Sequence, residues 1–372
     1  MFRIEILAIL QHSPFERIAA MASTRKDWSG ITLYAGIDVH KQKWVTTVRT
    51  KEASIRTFVT GADKQALLQS YRHLFPGATI EAVYEAGCFG YHLAEFLNMN
   101  GIKTIIVAPH TIPVPPGQFV KTDVIDSRKL ASELSKGSLR GIFLRATDNL
   151  FDRGLLRKRS QLVKRRVQLQ HQIASDLRFF GRESEVTFRS YWSRWLLADL
   201  MSMQFPSPQY REAFQMLVDD YVNIRNKIRQ LDRLLVELAE SDRYRDRIAL
   251  LRTIPGFGRL AALTFLVEVE DIRRFPSAEK FASYLGLTPS EFSSGESVHR
   301  GGLTGMGHAA LRSLLVQTAW QSVKKDPALL LKFERLCRGK SKCQAIIPIA
   351  KSLANRLRRV LLFNEPYVIG VT

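Results

Sequence analysis

Apolar runs of two different periodicities alternate between residues 32 and 134, and this alternation restricts the folds open to that part of the chain. Residues 32–38 end in Leu33-Tyr34-Ala35-Gly36-Ile37-Asp38, an apolar strand closed by one carboxylate, and Val39-His40-Lys41 follows. Residues 43–49 are β-branched and alternating, and residues 54–60 read as a third strand. The breaks between the three are short, which makes them antiparallel neighbours. Residues 62–74 carry Leu67, Leu68, Tyr71 and Leu74 at helical spacing. Residues 79–85 form another strand, ending in Glu85 before Ala86-Gly87. A helix over 91–100 stops at Gly101, and residues 103–108 are a buried strand. A loop with Pro109, Pro113, Pro115, Pro116 and Gly117 then leads to a helix from Thr122-Asp123 through Leu134.

Three strands, helix, strand, helix, strand, loop and helix is the order of a ribonuclease-H-like domain, a meander followed by parallel crossovers. In that order the first strand is central. Asp38 and Glu85 both close their strands and emerge at one sheet edge, where open α/β sheets place their sites. Asp123 and Asp126 are i and i+3 on the last helix and share a face. A single strand-terminal Asp is ordinary turn chemistry. Four acids from three elements are instead a candidate metal site for cutting nucleic acid.

Composition agrees. The 372 residues carry a net charge of +20, and the excess favours phosphate-rich partners. The 45% hydrophobic content is that of a globular chain, and no apolar run reaches the roughly 18 residues that span a bilayer. Cys88, Cys337 and Cys343 are scattered, which supports neither a zinc ribbon nor a disulfide framework and fits a reducing cytoplasm. Residues 1–30 read as an extension without signal-peptide character, and Met21 as a second start that would make residues 1–20 dispensable.

Beyond the α/β part, 31–140, the chain reads as a basic, heptad-bearing middle, 141–248, and a mostly helical C-terminal part, 249–372. Residues 151–180 hold eight cations against two acids, among them Arg157, Lys158, Arg159, Lys164, Arg165 and Arg166, with apolar positions threaded through. Phe214, Leu217, Tyr221, Ile224, Ile228, Leu231, Leu235 and Leu238 then step by 3 and 4 in strict alternation, a coiled-coil signal. Its partner is either the basic helix of the same chain or a second copy. Thr253-Ile254-Pro255-Gly256-Phe257-Gly258-Arg259 precedes an apolar helix, as in helix-hairpin-helix elements that hold a phosphate on backbone N–H groups; Gly256 and Gly258 are the contact candidates. Residues 290–308 are rich in Ser and Gly and read as an exposed, mobile loop running into a helix over 309–323. Eleven cations against two acids in 324–359 suggest further phosphate contact.

These pieces together resemble the DEDD transposases of the insertion-sequence 110 family and the related Piv-type DNA invertases. The resemblance rests on Gly36-Ile37-Asp38-Val39-His40-Lys41, Tyr84-Glu85-Ala86-Gly87 and Lys121-Thr122-Asp123-Val124-Ile125-Asp126-Ser127-Arg128. It continues through Ile254-Pro255-Gly256-Phe257-Gly258, Tyr284-Leu285-Gly286-Leu287-Thr288-Pro289, Ser294-Gly295 and Leu311-Arg312, covering residues 31–325. It implies a RuvC-like N-terminal domain, a coiled-coil middle and a helical C-terminal transposase domain. It also implies that Asp38, Glu85, Asp123 and Asp126 bind Mg²⁺ or Mn²⁺ and that a serine attacks DNA. That serine is Ser294, with Ser293 adjacent. Double-stranded DNA, a structured guide RNA and a homodimer or homotetramer are the implied partners, in the bacterial cytoplasm and with no membrane. The family's Ile-Ser-Lys-x-Gly reads Leu303-Thr304-Gly305-Met306-Gly307 here, so the Lys is absent and Arg300 is the candidate substitute. Two other readings stay open: a RuvC-like nuclease that hydrolyses junctions without a serine, and a non-catalytic nucleic-acid-binding remnant.

Overall fold

The computed structural model describes residues 27–113, 122–185, 192–294 and 297–370, without the side chains of 291–294 and 297–300. Most of the N-terminal extension, Pro115, Pro116, Gly117, Lys121 and Gly295 lie outside the described residues, as do the side chains of Ser293, Ser294 and Arg300. Contacts divide the chain into two units, one ending at Leu144 and one beginning at Arg145.

The first unit is built on one sheet. Its elements are β1 (Thr32–Val39), β2 (Lys43–Arg49), β3 (Ser54–Gly61), α1 (Lys64–Leu74), β4 (Thr79–Glu85), α2 (His92–Met99), β5 (Lys103–Val107) and α3 (Asp123–Ser135). The strand order is β3-β2-β1-β4-β5, with β1–β2 and β2–β3 antiparallel and β1–β4 and β4–β5 parallel. Alternation sends Leu33, Ala35 and Ile37 of β1 to one face, where they join Leu67, Leu68 and Tyr71 of α1 and Leu93 and Leu97 of α2. On the opposite face Val83 and Val107 meet Leu130 and Leu134 of α3. Gly36 lets α3 lie directly on β1: a Cβ there would stand 2.2 Å from the Ser127 carbonyl oxygen and 2.4 Å from the Ala131 nitrogen. Ser127, fully buried, fixes the contact by a 2.8 Å hydrogen bond with the Thr47 hydroxyl of β2. The Thr122 side chain caps α3 by accepting from the Ile125 N–H, which starts the helix at Asp123.

The second unit opens with α4 (Thr147–Phe179), followed by α5 (Arg194–Ser202) and α6 (Pro208–Ala239). The heptad face of α6 packs on α4. Phe214 and Val218 share a core with Ile173 and Leu177, while Leu235 and Ala239 share one with Leu156, so the two helices run antiparallel. In this chain, then, the basic helix is the partner of the heptads. The buried positions include Val218 and Ala239, whereas Leu217, Leu231 and Leu238 are only half-buried. The apolar stripe is wider than the strict seam because α5 adds Leu196, Leu197 and Leu200 to one end of the hairpin.

The remainder is α7 (Arg245–Leu251), α8 (Arg259–Val269), α9 (Ala278–Leu285), β6 (Pro289–Ser294), β7 (Ser297–Leu303), α10 (Ala309–Val323), α11 (Pro327–Cys337) and α12 (Lys342–Phe363). Helix α8 is central: Ala262, Leu263, Phe265, Leu266, Val267 and Val269 are all buried. It packs against α4, α6, α7 and α10, in the largest core among the described residues. The Ser- and Gly-rich stretch expected as a mobile loop is corrected here. It is a β-hairpin in which Phe292 pairs His299 and Ser293 pairs Val298. A two-stranded ladder is held by backbone groups, and Phe292 and Val298 favour extended backbone, so serine content alone misread it. No helix among the described residues is long and apolar enough to cross a membrane.

Candidate metal centre and nucleic-acid interface

Strand parity decides which side chains can meet. Asp38 follows Gly36 by two residues and so lies on the α3 face of β1. Glu85 follows Val83 by two and belongs to that face of β4. The parallel ladder ends at the pair Ile37 and Tyr84, so Asp38 and Glu85 leave neighbouring strands at one edge. The seat at Gly36 brings the first turn of α3, with Asp123 and Asp126, over that edge. Acids in a first turn also suit the positive end of the helix dipole.

One ligand atom each from Asp38, His40 and Asp123 lies within 4.8 Å of the others. His40 Nε2 is 3.1 Å from Asp38 Oδ2 and 3.5 Å from Asp123 Oδ1, and Lys43 Nζ is 3.2 Å from Asp123 Oδ2. Burial holds the Asp38 carboxyl above its ordinary range; His40 opposes this, and the charges of Asp123 and Asp126 add to it. The hydrogen bond from Lys43 holds Asp123 below the ordinary range. Asp126 lies one helical turn from Asp123 on α3 and is not one of the group of three. Glu85 shares the edge but is exposed and stands outside the group of three.

His40 and Lys43 are the residues that sequence reasoning passed over. His40 sits in the tight β1–β2 connection and Lys43 opens β2; the register pairs Val39 with Trp44, so the turn folds back over the acids. The signal was available: His40 has the parity of Asp38.

The cations of α4 separate into two kinds. Arg153 donates to Glu268 at 2.7 Å, and Arg159 to Asp232 at 2.5 Å. Arg166 is half-buried along α6. Arg157, Lys158, Lys164 and Arg165 are exposed and form the outward cationic stripe of the hairpin. The Pro255-Gly256 turn docks on α10, where the Ser322 hydroxyl donates to the Pro255 carbonyl at 2.6 Å. Gly258 caps α8 with no side-chain partner and with open space where a Cβ would be.

Ser294 ends β6, its backbone paired with Ser297, and it belongs to the second unit. The stem of that hairpin is clamped. The Thr304 N–H donates to the Thr288 carbonyl at 3.2 Å and the His308 N–H to the Tyr284 carbonyl at 2.8 Å. A Cβ on Gly307 would stand 2.6 Å from the Gly286 nitrogen. His308 also caps α10 through Nδ1 and meets buried Glu268 through Nε2 at 2.9 Å. Burial raises the Glu268 carboxyl, but the hydrogen bond with His308 and the charge and hydrogen bond of Arg153 outweigh it and bring it down to about 2.

Comparison with known proteins gives two matching stretches, the first of which runs past Leu144 into α4. A DEDD transposase model of the IS110 type matches residues 35–181, and a model described as "Transposase IS116/IS110/IS902 family" matches residues 248–334. A Sinorhizobium fredii protein described as a transposase, y4qE, is 32% identical over 64% of this chain and 57% of its own length. The transposase for insertion sequence element IS1111A of Coxiella burnetii is 25% identical over 74% of this chain and 75% of its own. The pilin gene-inverting protein of Moraxella bovis is 35% identical over 42% of this chain and 52% of its own. With one model on the acid-bearing part and the other on the helical part, the chain belongs to the IS110 family of DEDD transposases.

Proposed function

We propose that this chain is the transposase of an insertion sequence, a recombinase that breaks and rejoins DNA using a carboxylate-held divalent cation and a serine nucleophile. The observation that carries the reading is the convergence of Asp38 and Asp123 at one edge of the sheet, with Asp126 on the same first turn of α3. The strand order β3-β2-β1-β4-β5, antiparallel on one side of β1 and parallel on the other, supports a RuvC-like assignment for this unit.

The donor set fits a divalent cation. Carboxylate oxygens are hard ligands. Asp38, crowded by two other carboxylates and partly buried, gains most from a positive ion beside it. Asp38, Asp123 and Asp126 would hold Mg²⁺ or Mn²⁺, with Glu85 completing the set from the next strand. A cation bound there supplies Lewis acidity that offsets the charge developing on a phosphodiester. Lys43 and His40 balance the acids and orient Asp123 and Asp38.

Ser294 is the nucleophile in this reading, with Ser293 as its neighbour. Its Oγ forms a bond to phosphorus, its proton passes to a base, and one DNA oxygen leaves with the electron pair. The phosphoserine ester keeps the energy of the broken bond, so a DNA hydroxyl can reverse the step and rejoin strands without ATP. The stem clamp at Gly286, Gly307 and His308 supports a role in presenting this serine.

Arg157, Lys158, Lys164 and Arg165 are the backbone contacts for nucleic acid, with Gly256, Gly258 and Arg300 as further candidates. Phosphate contacts carry no sequence information. A basic chain of this kind suits a structured guide RNA that selects the DNA by pairing, and a dimer or tetramer suits the exchange of two duplexes. Acids in one unit would also suffice for plain hydrolysis, the alternative reading. Cleavage by the purified chain separates the two. Strand breakage is expected to fall at least about a hundredfold in Asp38→Ala. Serine attack further requires that Ser294→Ala abolish breakage; full breakage in that variant would establish hydrolysis.

A further inference from the structure

Between Asp38 and Asp123 stands an imidazole. His40 Nε2 lies 3.1 Å from Asp38 Oδ2 and 3.5 Å from Asp123 Oδ1. Adjacent ligands on a six-coordinate ion with bonds near 2.1 Å are separated by about 3 Å, so these spacings are close to those of a coordination shell. Asp123 Oδ2 is meanwhile taken by Lys43 at 3.2 Å, which leaves Oδ1 on the His40 side. The His40 side chain is 50% exposed against 19% for Asp38 and 37% for Asp123. The ring can therefore move the short distance needed to share an ion with the two carboxylates. The β1–β2 connection, anchored by the Trp44 indole donating to the His40 carbonyl at 3.1 Å, fixes the backbone from which the ring reaches.

We infer that His40 is itself a metal ligand, so that the site is a mixed nitrogen and oxygen set, Asp38, His40 and Asp123, that prefers Mn²⁺ to Mg²⁺. The inference rests on the metal-dependent reading above and deepens it. Mn²⁺ is served mainly by oxygen but, as a transition ion, also accepts an imidazole nitrogen, whereas Mg²⁺ takes oxygen almost exclusively and holds its waters. A carboxylate-only site would show no such contribution from nitrogen.

The test uses the full chain with Mn²⁺ or Mg²⁺ alone. Pulsed electron paramagnetic resonance of bound Mn²⁺ is expected to show a directly coordinated nitrogen, and chain made with ¹⁵N-histidine should show the isotope change. The signal should vanish in His40→Gln and His40→Ala. Calorimetry should give Mn²⁺ affinity about tenfold weaker in both variants, with Mg²⁺ affinity changed less than about threefold. Mn²⁺ that binds, and is lost in Asp38→Ala, but shows no histidine nitrogen would overturn the role of His40 and leave the acid site standing. Absence of any Mn²⁺ or Mg²⁺ binding sensitive to Asp38→Ala would overturn both. The ¹⁵N experiment uses unsubstituted protein, so it decides the point even where a variant fails to fold.

Discussion

Gly36 of β1 and Ser127 of α3 lie in backbone contact: a β-carbon on Gly36 would stand 2.2 Å from the Ser127 carbonyl oxygen. This contact sets the height of α3 above the sheet, and with it the distance from Asp123 and Asp126 to Asp38. Gly36→Ala is expected to push α3 outward, because both nearby groups are backbone and have no rotamer to yield. Overpacking of this kind costs about 1–3 kcal/mol. Thermal denaturation should show a lowered midpoint for the transition of the first unit, and calorimetry weaker divalent-cation binding. An unchanged midpoint with unchanged binding would mean that α3 is not seated by this glycine.

The cap of α3 is a milder perturbation of the same element. Thr122→Ala removes the side-chain acceptor for the Ile125 N–H and should cost about 1 kcal/mol. Thr122→Ser should restore it. The pair of variants, compared by chemical denaturation, separates capping from any loss of the threonine methyl group.

Much of this site was legible in the chain, and the limits have physical causes. The strand and helix order from Thr32 to Ser135 follows from periodicity, since each element has one buried face or two. The edge shared by Asp38 and Glu85 follows from strands that close on acids. The approach that brings Asp123 to Asp38 depends on a missing side chain at Gly36, which periodicity does not register. His40 lies in a polar turn and Lys43 at the first position of β2, where residue type carries little structural information. The hairpin around Ser294 was misread because backbone pairing leaves weak compositional signs when side chains are Ser and Gly. Arg159 looked identical to its neighbours until its distance to Asp232 was known.

Glu268 gives a pH dependence with a definite sign. Its folded-state carboxyl lies at about 2, below the ordinary value of 4.5. A depressed carboxylate stabilises the fold fully above about pH 4.5 and loses that contribution as pH falls toward 2. The expected contribution at neutral pH is about 3 kcal/mol, and Glu268→Gln should remove most of it. The gap in stability between parent and variant should therefore narrow between about pH 4.5 and 2. A gap that stays constant over that range would show that the pairing with Arg153 and His308 is not what holds Glu268 ionised.

The exposed stripe on α4 should be separable from its paired cations by salt. Arg157→Ala, Lys158→Ala, Lys164→Ala and Arg165→Ala should each weaken nucleic-acid binding. Each lost phosphate contact lowers the slope of log K against log salt by about 0.7 to 0.9. Arg159→Ala breaks the pair with Asp232 and should lower the thermal midpoint more than it alters the slope. Equal slopes for all five variants would place the nucleic acid elsewhere.

The central claim is that metal-holding acids and a serine together cut and rejoin DNA. It is tested most directly by trapping the covalent product. Purified chain, with any RNA that it retains, is incubated with DNA spanning an element end and a divalent cation, then denatured and resolved by size. The expected result is a protein–DNA adduct whose peptide map places the phosphodiester on Ser294, absent in Ser294→Ala and in Asp38→Ala. DNA cut to free ends with no adduct, or an adduct that survives Ser294→Ala, would contradict it.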